Sequence, residues 1–284
     1  MMKLGAHVST AGGFEKALVH LSNIGGNAMQ IFSTSPRGWN FAKTDTIQSS
    51  HFKEAKTKFH VNRVYFHASY LINLADGEKT GYMSKLSLIA ELKTASALGV
   101  RGSIIHLGSF KKNKTPEKYQ TLIKNIKEII GQTPEDTFFI IENAGNNKIG
   151  QSLDEIAQII TDVETSRRDV STERRLRVCL DSCHLFSAGY DLRTEDKLNA
   201  FLQEFDQKIG LNRLEVWHLN DSRDPFDSGR DRHENIGMGT IGLDEFRLII
   251  NHPKLKHLPF IIETPGFDGN GPDKKNLDIL KNLV

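Results

Sequence analysis

Short apolar runs rich in β-branched and aromatic residues recur along the chain, and segments with helical periodicity separate nearly all of them. A continuous apolar run is typical of a parallel strand buried on both faces, whereas a half-exposed antiparallel strand alternates apolar with polar residues. The pattern therefore predicts eight parallel strands, at residues 4–8, 28–32, 63–68, 102–108, 137–143, 177–182, 215–221 and 259–265.

The segments between these strands mostly carry the signatures of amphipathic helices. An apolar stripe after the third strand ends at Gly99, a residue suited to the C-terminus of a helix. Ser152 and Glu155 form a capping-box pattern ahead of the helix that follows the fifth strand. The weakest helical pattern lies at 45–60. The charged stretch 164–176 is interpreted as a solvated loop that enters the sixth strand.

Eight strands that alternate with helices predict a (β/α)₈ TIM barrel of class α/β. The chain has 284 residues, and such a barrel typically needs about 250. We find no linker or low-complexity boundary, so we expect one domain over residues 1–284. A doubly wound open sheet is the structural alternative, because a sequence does not show whether a sheet closes. The hydrophobic content of 38% and the charged content of 25% are those of an ordinary globular protein.

Histidines and carboxylates follow or close six consecutive strands, the third to the eighth. TIM barrels build their active sites at the C-terminal ends of the strands, so these side chains should converge. Taken singly, such a histidine is usually hydrogen-bonded to backbone, and such a carboxylate usually caps a helix or forms an ion pair. Taken together, packed carboxylates would repel one another without a cation, and mixed imidazole and carboxylate ligands favour zinc or a similar metal. The six residues are His67, His106, Glu142, Asp181, His218 and Glu263.

Three further candidate ligands lie in loops beyond the strand ends. His184 comes three residues after Asp181, and Asp231 and His233 have D-x-H spacing in the long loop after the seventh strand. The total of nine exceeds what one ion can use. Two metals about 3.5–4 Å apart can clamp the attacking and leaving oxygens of a phosphoryl group, with Glu142 as a bridging ligand. A third ion would neutralise the remaining phosphate oxygen. The surplus therefore predicts metal-assisted phosphoester hydrolysis.

The placement of charge agrees with a phosphate-bearing substrate, although the formal net charge of +2 is uninformative by itself. Basic and aromatic residues occur in the loops that follow the second, third, fourth and seventh strands. A positive mouth with aromatic wedges suits a nucleic-acid backbone whose base stack is disrupted. Each residue alone is equally well explained as a solvated loop side chain. The candidates are Arg37, Trp39, Tyr70, Lys111, Lys112, Arg223 and Arg230.

The two cysteines, Cys179 and Cys183, are four residues apart across a strand end. In an extended stretch their Cα atoms would lie beyond the limit of about 7 Å for a disulfide, which favours a reducing, cytoplasmic compartment. The N-terminus has no apolar segment of a signal peptide, and no apolar run approaches the roughly 18 residues of a membrane span. A monomer is expected because one chain carries a complete set of candidate ligands.

Six motifs resemble the endonuclease IV family of abasic-site (AP) DNA endonucleases, which belongs to the xylose-isomerase-like TIM barrels. They are spread in order over nearly the whole chain, and a chance match to all of them is implausible. The motifs are GAHVSTAGG (5–13), HASYLINLA (67–75), CLDSCHLFSAGYDLR (179–193), HLNDS (218–222), DRHENIGMGTIG (231–242) and IIETPGFDG (261–269).

The resemblance implies three zinc ions per chain, with manganese possible at some positions. It also implies a double-stranded DNA substrate that contains abasic sites or blocked 3′ ends. Cleavage would occur 5′ of the abasic site, leaving a 3′-hydroxyl and a 5′-deoxyribose phosphate, with 3′-end unblocking as a companion activity. Arg37 and Tyr70 match positions that enter the DNA at the flipped lesion. Glu142 and Glu263 are implied to be catalytic, and Glu263 also orients the attacking hydroxide. The implied ligand sets are His67, His106 and Glu142; Glu142, Asp181, His218 and Glu263; and His184, Asp231 and His233.

Several positions depart from the family pattern, among them the shorter turn ENAGNNKIG (142–150) after the fifth strand, but none removes a proposed ligand. The alternative function is a divalent-metal sugar isomerase or epimerase on the same barrel, which would need only the second of the three ligand sets. The surplus of ligands discriminates against it. The cysteines are not expected to be ligands: Cys179 should fill the barrel interior, and Cys183 should pack behind the ligands.

Overall fold

The computed structural model describes residues 2–146, 148–165 and 175–284, and eight parallel strands close into a barrel. The barrel strands are β1 (Lys3–His7), β2 (Ala28–Phe32), β3 (Arg63–His67), β4 (Gly102–Ile105), β5 (Phe138–Glu142), β6 (Leu176–Asp181), β7 (Leu214–His218) and β10 (Pro259–Ile262). Going around the barrel, each strand pairs with its neighbour in the order β1-β10-β7-β6-β5-β4-β3-β2, with β1 also paired to β2. The predicted TIM barrel is confirmed.

Helices connect the strands and pack around the barrel. The connection after β7 also contains a small antiparallel pair, β8 (Asp221–Ser222) and β9 (His233–Glu234), and a 3₁₀ turn, Leu211–Arg213, precedes β7. None of the helices in the described part of the chain is long and apolar enough to cross a membrane. The helices are α1 (Phe14–Asn23), α2 (Thr46–Lys58), α3 (Lys79–Leu98), α4 (Pro116–Gly131), α5 (Leu153–Thr165), α6 (Ser182–Ser187), α7 (Glu195–Lys208), α8 (Leu243–Asn251) and α9 (Lys274–Lys281).

The helix ends follow the sequence signals with one difference. Gly99 ends α3 in the left-handed conformation, with φ of 64°, as its position predicts. The capping box before α5 is only half formed, because Ser152 Oγ accepts from Glu155 N while the Glu155 carboxylate accepts from Gly150 N instead. The weak pattern at 45–60 does form α2, and the interpretation of 164–176 as a loop falls largely outside the described residues.

A layer of apolar side chains fills the barrel interior below its C-terminal mouth. Seven strands each contribute one buried residue to this inner layer: Ala28, Tyr65, Ile104, Ile140, Cys179, Val216 and Ile261. On β1 the position in register with Ala28 and Ile261 is Gly5. A Cβ atom there would lie 1.6 Å from the Ala28 carbonyl oxygen, so only glycine lets β1 approach β2. A larger outer core fills the space between barrel and helices.

Candidate metal centre

Each barrel strand places one polar side chain two residues beyond the inner layer. Because side chains alternate between the two faces of a strand, a residue two positions further along also points inward. The resulting mouth ring contains all six polar residues predicted at the strand ends, together with two that the sequence reasoning did not select. Its members are His7, Gln30, His67, His106, Glu142, Asp181, His218 and Glu263.

Glu142, at the end of β5, is fully buried, and its carboxylate contacts three imidazoles of the ring. Its Oε2 atom is 3.1 Å from His67 Nε2 and 3.3 Å from His106 Nε2. Its Oε1 atom is 3.0 Å from His218 Nδ1. The two carboxylate oxygens therefore face two different sets of imidazoles, which is the geometry required of a bridging ligand.

His218 faces two further carboxylates on the other side of the ring. Its Nδ1 atom lies 3.7 Å from Asp181 Oδ2 and 3.5 Å from Glu263 Oε2. One donor atom from each of Glu142, Asp181, His218 and Glu263 fits within a group in which all pairs are 4.8 Å apart or less. These four residues form the second candidate ligand set.

The loop residues form a third group beside the ring. His184 Nε2 lies 3.0 Å from Asp231 Oδ1, and His233 Nε2 lies 3.5 Å from the same oxygen and 3.7 Å from Asp181 Oδ2. The Asp181 carboxylate also caps α6 by accepting from the backbone N–H of His184 at 3.1 Å. The fold thus brings all nine predicted ligand residues into one cluster.

Carbonyl oxygens fix the orientation of four of these histidines. A carbonyl can only accept, so the ring nitrogen that contacts it must carry the proton. His67 Nδ1 donates to Ala68 O and His184 Nδ1 to Asn143 O, both at 2.9 Å, while His218 Nε2 donates to the side-chain oxygen of Gln30 at 2.7 Å. His233 Nδ1 lies 3.4 Å from Glu263 O in the same manner.

When such a ring is neutral, its remaining nitrogen is a lone pair that faces a carboxylate oxygen. These two acceptors, 3.0–3.7 Å apart, require either a proton or a metal cation between them. His233 Nε2 is moreover buried without a hydrogen-bond partner among the described residues. The cluster therefore fits divalent metal ions held by imidazole and carboxylate, the ligand mixture that zinc and similar metals favour.

Burial and the neighbouring charges shift the pKa values of the carboxylates and histidines in this cluster, some upward and some downward. Burial raises the pKa of the Glu142 carboxyl, but His106 and His218 outweigh it and lower that pKa well below its usual range. Burial lowers the pKa of His184, yet Asp181 and Asp231 raise it to about 10. The pKa of His106 is lowered by burial to about 4. The direction of each histidine's pKa shift thus depends on whether the neighbouring carboxylates outweigh its burial.

Two buried aspartates shape the loop that carries Asp231 and His233. Asp221 accepts from the backbone N–H groups of Gly237, Gly239 and Ile241, at 2.9–3.1 Å, and so holds the far end of the loop. Asp224 accepts from the guanidinium groups of Arg230 and Arg232, which flank Asp231. These contacts restrain the two ligand candidates even though they lie outside the strands.

Both cysteines are buried free thiols. Cys179 lies in the inner layer, where sequence reasoning expected it, and its sulfur is within 4.8 Å of donor atoms of Glu142 and His218. Burial raises the pKa of Cys179 to about 12 and also raises that of Cys183. The Cys183 sulfur likewise lies within 4.8 Å of donor atoms of Asp231 and His233, so the exclusion of both thiols from the ligand sets stays a prediction.

The family model of the xylose isomerase-like TIM barrels matches residues 18–283. A probable endonuclease 4 from Halothermothrix orenii is 37% identical over 283 residues, which span 99% of this chain and 99% of that protein. The chain belongs to the endonuclease 4 family. The crystal structure of endonuclease IV from Thermus thermophilus superposes with a TM-score of 0.84 at 29% identity, over 99% of this chain and 98% of the other.

The endonuclease IV resemblance drawn from the motifs is thus confirmed. A D-tagatose 3-epimerase-like protein has a TM-score of 0.69 at 17% identity, over 99% of this chain and 97% of the other. At that identity the likeness shows a shared fold alone.

The DNA contacts expected of an endonuclease 4 family member are unequal in exposure. Arg37 and Lys112 are exposed, and Tyr70 is 66% exposed beside the cluster, with its ring against Phe32 at 5.4 Å between centroids. Trp39 is half-buried and packs against the outer core.

The other predicted cations are already paired with carboxylates. Lys111 Nζ lies 2.7 Å from Asp76, Arg223 Nε lies 3.3 Å from Glu234, and Arg230 Nη1 lies 3.4 Å from Asp224. Their charge is therefore less available to a phosphate than that of Arg37 and Lys112.

Sequence reasoning missed the polar residues that contact the candidate ligands in this chain of the endonuclease 4 family. His7 and Gln30 lie in the mouth ring, and Asn220 Nδ2 donates to Asp181 Oδ2 at 2.6 Å while its Oδ1 accepts from Glu263 N. Asn143 accepts from both Asp181 N and His184 Nδ1. The spacing of two residues from the inner layer would have identified His7 and Gln30.

Proposed function

We propose that this chain is a zinc-dependent AP endonuclease that hydrolyses the phosphodiester 5′ of an abasic site in double-stranded DNA. The products would be a 3′-hydroxyl and a 5′-deoxyribose phosphate. The observation that carries the proposal is the convergence of nine ligand residues on one mouth, in a chain of the endonuclease 4 family. A site for sugar chemistry with one metal would need only four of them.

We assign the ligands to three sets. His67, His106 and Glu142 would hold one ion; Glu142, Asp181, His218 and Glu263 a second; and His184, Asp231 and His233 a third. When bound, such ions supply a hydroxide near neutral pH and neutralise charge on the phosphoryl oxygens. The mixed ligands favour zinc, with manganese possible at some positions.

The residues of the chain contribute orientation and exclusion of water. Glu142 is fully buried, so its carboxylate meets little competition from solvent. Glu263, half-buried at the edge of the cavity, presents one oxygen toward His218 and can orient a nucleophile in the mouth. Tyr70 lines the same opening, and the hydrogen bond from Ser69 Oγ to Pro36 O joins the loop of Arg37 to the loop of Tyr70. The two side chains would fill the space left by the missing base and hold the flipped sugar in place.

A duplex with a single tetrahydrofuran abasic-site analogue tests the proposal. Because this analogue cannot undergo β-elimination, a nick 5′ of the analogue must come from hydrolysis. The metal-loaded protein should nick the lesion strand and leave an extendable 3′-hydroxyl, and prolonged chelation should abolish nicking. An intact strand, with zinc confirmed bound, would sink the endonuclease proposal.

Glu142→Gln provides the matched variant, because it keeps the shape of the side chain and removes the bridging charge. It should abolish nicking and lower the metal content, whereas Lys112→Ala should keep the full metal content. Near-normal activity of the Glu142→Gln variant would mean that the bridge is misassigned. Nicked duplexes that end in a 3′-phosphate test the companion unblocking activity separately.

The second candidate function is a sugar epimerase, favoured only by the four-residue set and the shared fold. Incubation of the metal-loaded protein with ketohexoses, followed by chromatography, discriminates between the two. Turnover of a ketose without nicking of the abasic duplex would favour the epimerase. We further propose that the protein acts as a monomer, which sedimentation at working concentration tests.

A further inference from the structure

Gln30 differs from the other members of the mouth ring because its amide is neither titratable nor a common metal ligand. It lies in the middle of β2, in register with His7 on β1 and Tyr65 on β3, and it is fully buried. Burying a side-chain amide is costly unless its donors and acceptor are all used. Its contacts therefore indicate what it does.

The Gln30 amide uses both of its polar atoms within the cluster. Its oxygen accepts from His218 Nε2 at 2.7 Å. Its nitrogen donates to Glu263 Oε1 and lies 2.8 Å from His7 Nδ1. One amide therefore connects three other members of the ring.

Only one orientation of this amide is consistent with its neighbours. If oxygen and nitrogen were exchanged, the amide oxygen would face the Glu263 carboxylate, and two acceptors would be in close contact. In the observed orientation one N–H group meets the Glu263 carboxylate and the oxygen faces His218 Nε2. The second N–H meets an acceptor when the His7 proton is on Nε2. The surrounding network thus fixes the assignment of the amide.

The first consequence concerns the tautomer of His218. Three other histidines of the cluster have a ring nitrogen fixed by a backbone carbonyl, which substitution of a side chain does not remove. For His218 the corresponding acceptor is the side chain of Gln30. The proton stays on Nε2 because Gln30 accepts it there, and Nδ1 is left free to face Glu142, Asp181 and Glu263.

The second consequence concerns the two oxygens of Glu263. Gln30 holds Oε1, and His7 Nδ1 lies 3.4 Å from the same atom. The other oxygen, Oε2, is 3.5 Å from His218 Nδ1 and 3.5 Å from Asn220 Nδ2. These contacts hold the two oxygens in different environments, and Oε2 is the oxygen that faces the second ligand set.

We propose that Gln30 is a positioning residue that selects both the metal-facing nitrogen of His218 and the metal-facing oxygen of Glu263. The inference rests on the proposed metal centre and concerns its second ligand set alone. Hydrogen-bond partners of metal ligands typically change metal affinity by about 10–100-fold when they are removed. Gln30 should have an effect of that size on one ion and leave the others unchanged.

The experiment measures the release of metal from purified holoenzyme to a chromogenic chelator, resolved into kinetic phases. Gln30→Met keeps the approximate volume and removes every hydrogen bond, whereas Gln30→Ala leaves space in which water can replace the amide. Tyr65→Phe is the matched control, because it removes one partly buried hydrogen bond, to Glu215, from the inner layer away from the mouth. Circular dichroism establishes that each variant is folded.

A positioning role predicts that one equivalent of metal leaves the Gln30→Met protein about 10–100 times faster than the wild type. The other equivalents should leave at the wild-type rate, Gln30→Ala should be less affected than Gln30→Met, and Tyr65→Phe should match the wild type. A packing role predicts the reverse order, since a cavity costs more than a volume-conserving change.

Two results would overturn the inference: wild-type release from Gln30→Met, or faster release from Gln30→Ala than from Gln30→Met. If Gln30→Met does not fold, the comparison of Gln30→Ala with Tyr65→Phe decides, and equal release from those two proteins refutes the inference. A wild-type protein that binds no metal would instead refute the proposed centre itself, which separates the two failures.

Discussion

Replacing Glu245 by glutamine should stabilise the protein, and the gain should grow as the pH rises. Glu245 lies in the first turn of α8, is 1% exposed, and neither of its carboxyl oxygens has a well-formed hydrogen bond among the described residues. Burial raises the pKa of this carboxyl to about 8. The nearby Asp191 and Asp221 also raise this pKa, whereas Arg193 and a contact with the Leu192 backbone lower it. The protonated form is therefore strongly favoured in the folded protein.

The size of the effect follows from linkage between protonation and folding. A carboxyl whose pKa is higher in the folded than in the unfolded chain contributes stability that is complete below the unfolded pKa. That stability is lost as the pH rises through the folded pKa. The pKa of this carboxyl rises from 4.5, its ordinary value, to about 8 in the folded protein. At roughly 1.4 kcal/mol per pH unit, this shift corresponds to about 5 kcal/mol of folding stability. Near neutral pH about 3 kcal/mol of that stability has been lost.

Urea unfolding of the wild type and of Glu245→Gln at a series of pH values measures this loss. Glutamine cannot ionise, so the difference in unfolding free energy between the two proteins should rise by about 4 kcal/mol between pH 5 and pH 9. Other titrating groups cancel from the difference. Asp244→Asn is the control, because it removes the same charge from the same helical turn at a side chain that is 85% exposed.

A difference between Glu245→Gln and the wild type that stays constant across this pH range would refute the reasoning. It would mean that the carboxyl is solvated or hydrogen-bonded in the folded protein. A pH-dependent gain of the same size in Asp244→Asn would also refute it, because the effect would then come from the charge of the helix terminus and not from burial.

Three further predictions concern the barrel, the third ligand set and the DNA contacts. Gly5→Ala should cost several kcal/mol or prevent folding, since its Cβ would lie 1.6 Å from a carbonyl oxygen of β2; an unchanged melting temperature would contradict the strand packing. Asp231→Asn should lower the metal content by one equivalent, measured by elemental analysis, and a full complement would remove this residue from the ligand set. Lys112→Ala should reduce the salt dependence of DNA binding by about one phosphate contact. Lys111→Ala should change it less, because Lys111 pairs with Asp76. Equal slopes of log affinity against log salt concentration for the two variants would argue against this ranking.

The barrel and most of the ligand candidates were predictable because each of them follows from local pattern. An apolar run that ends in Glu142 or His218 identifies both a buried strand and a residue at its mouth. The predicted strands at 102–108 and 259–265 were too long, since the backbone leaves the sheet at Ile105 and Ile262. The residues that follow directly, His106 and Glu263, belong to the mouth ring and not to the sheet.

Other features depend on partners that are distant in sequence, and the pattern could not show them. The Lys111 ammonium pairs with Asp76, the Arg223 guanidinium with Glu234, and the Arg230 guanidinium with Asp224. Three candidate DNA contacts therefore already have counterions. Gln30 was overlooked because an amide within an apolar run has no charge to draw attention. Its role depends on His218, which is 188 positions away in the chain.

The regular step of two residues from the inner layer to the mouth ring has a consequence for how such centres can diverge. Neighbouring strands lie about 4.7–4.9 Å apart, so the barrel itself sets the separation between adjacent ring positions. A substitution can change which atom occupies a ring position, but it cannot move that position without a new strand register. New chemistry on this scaffold should therefore arise by exchange of side-chain type at fixed points, with further polar groups added from loop residues such as His184 and His233.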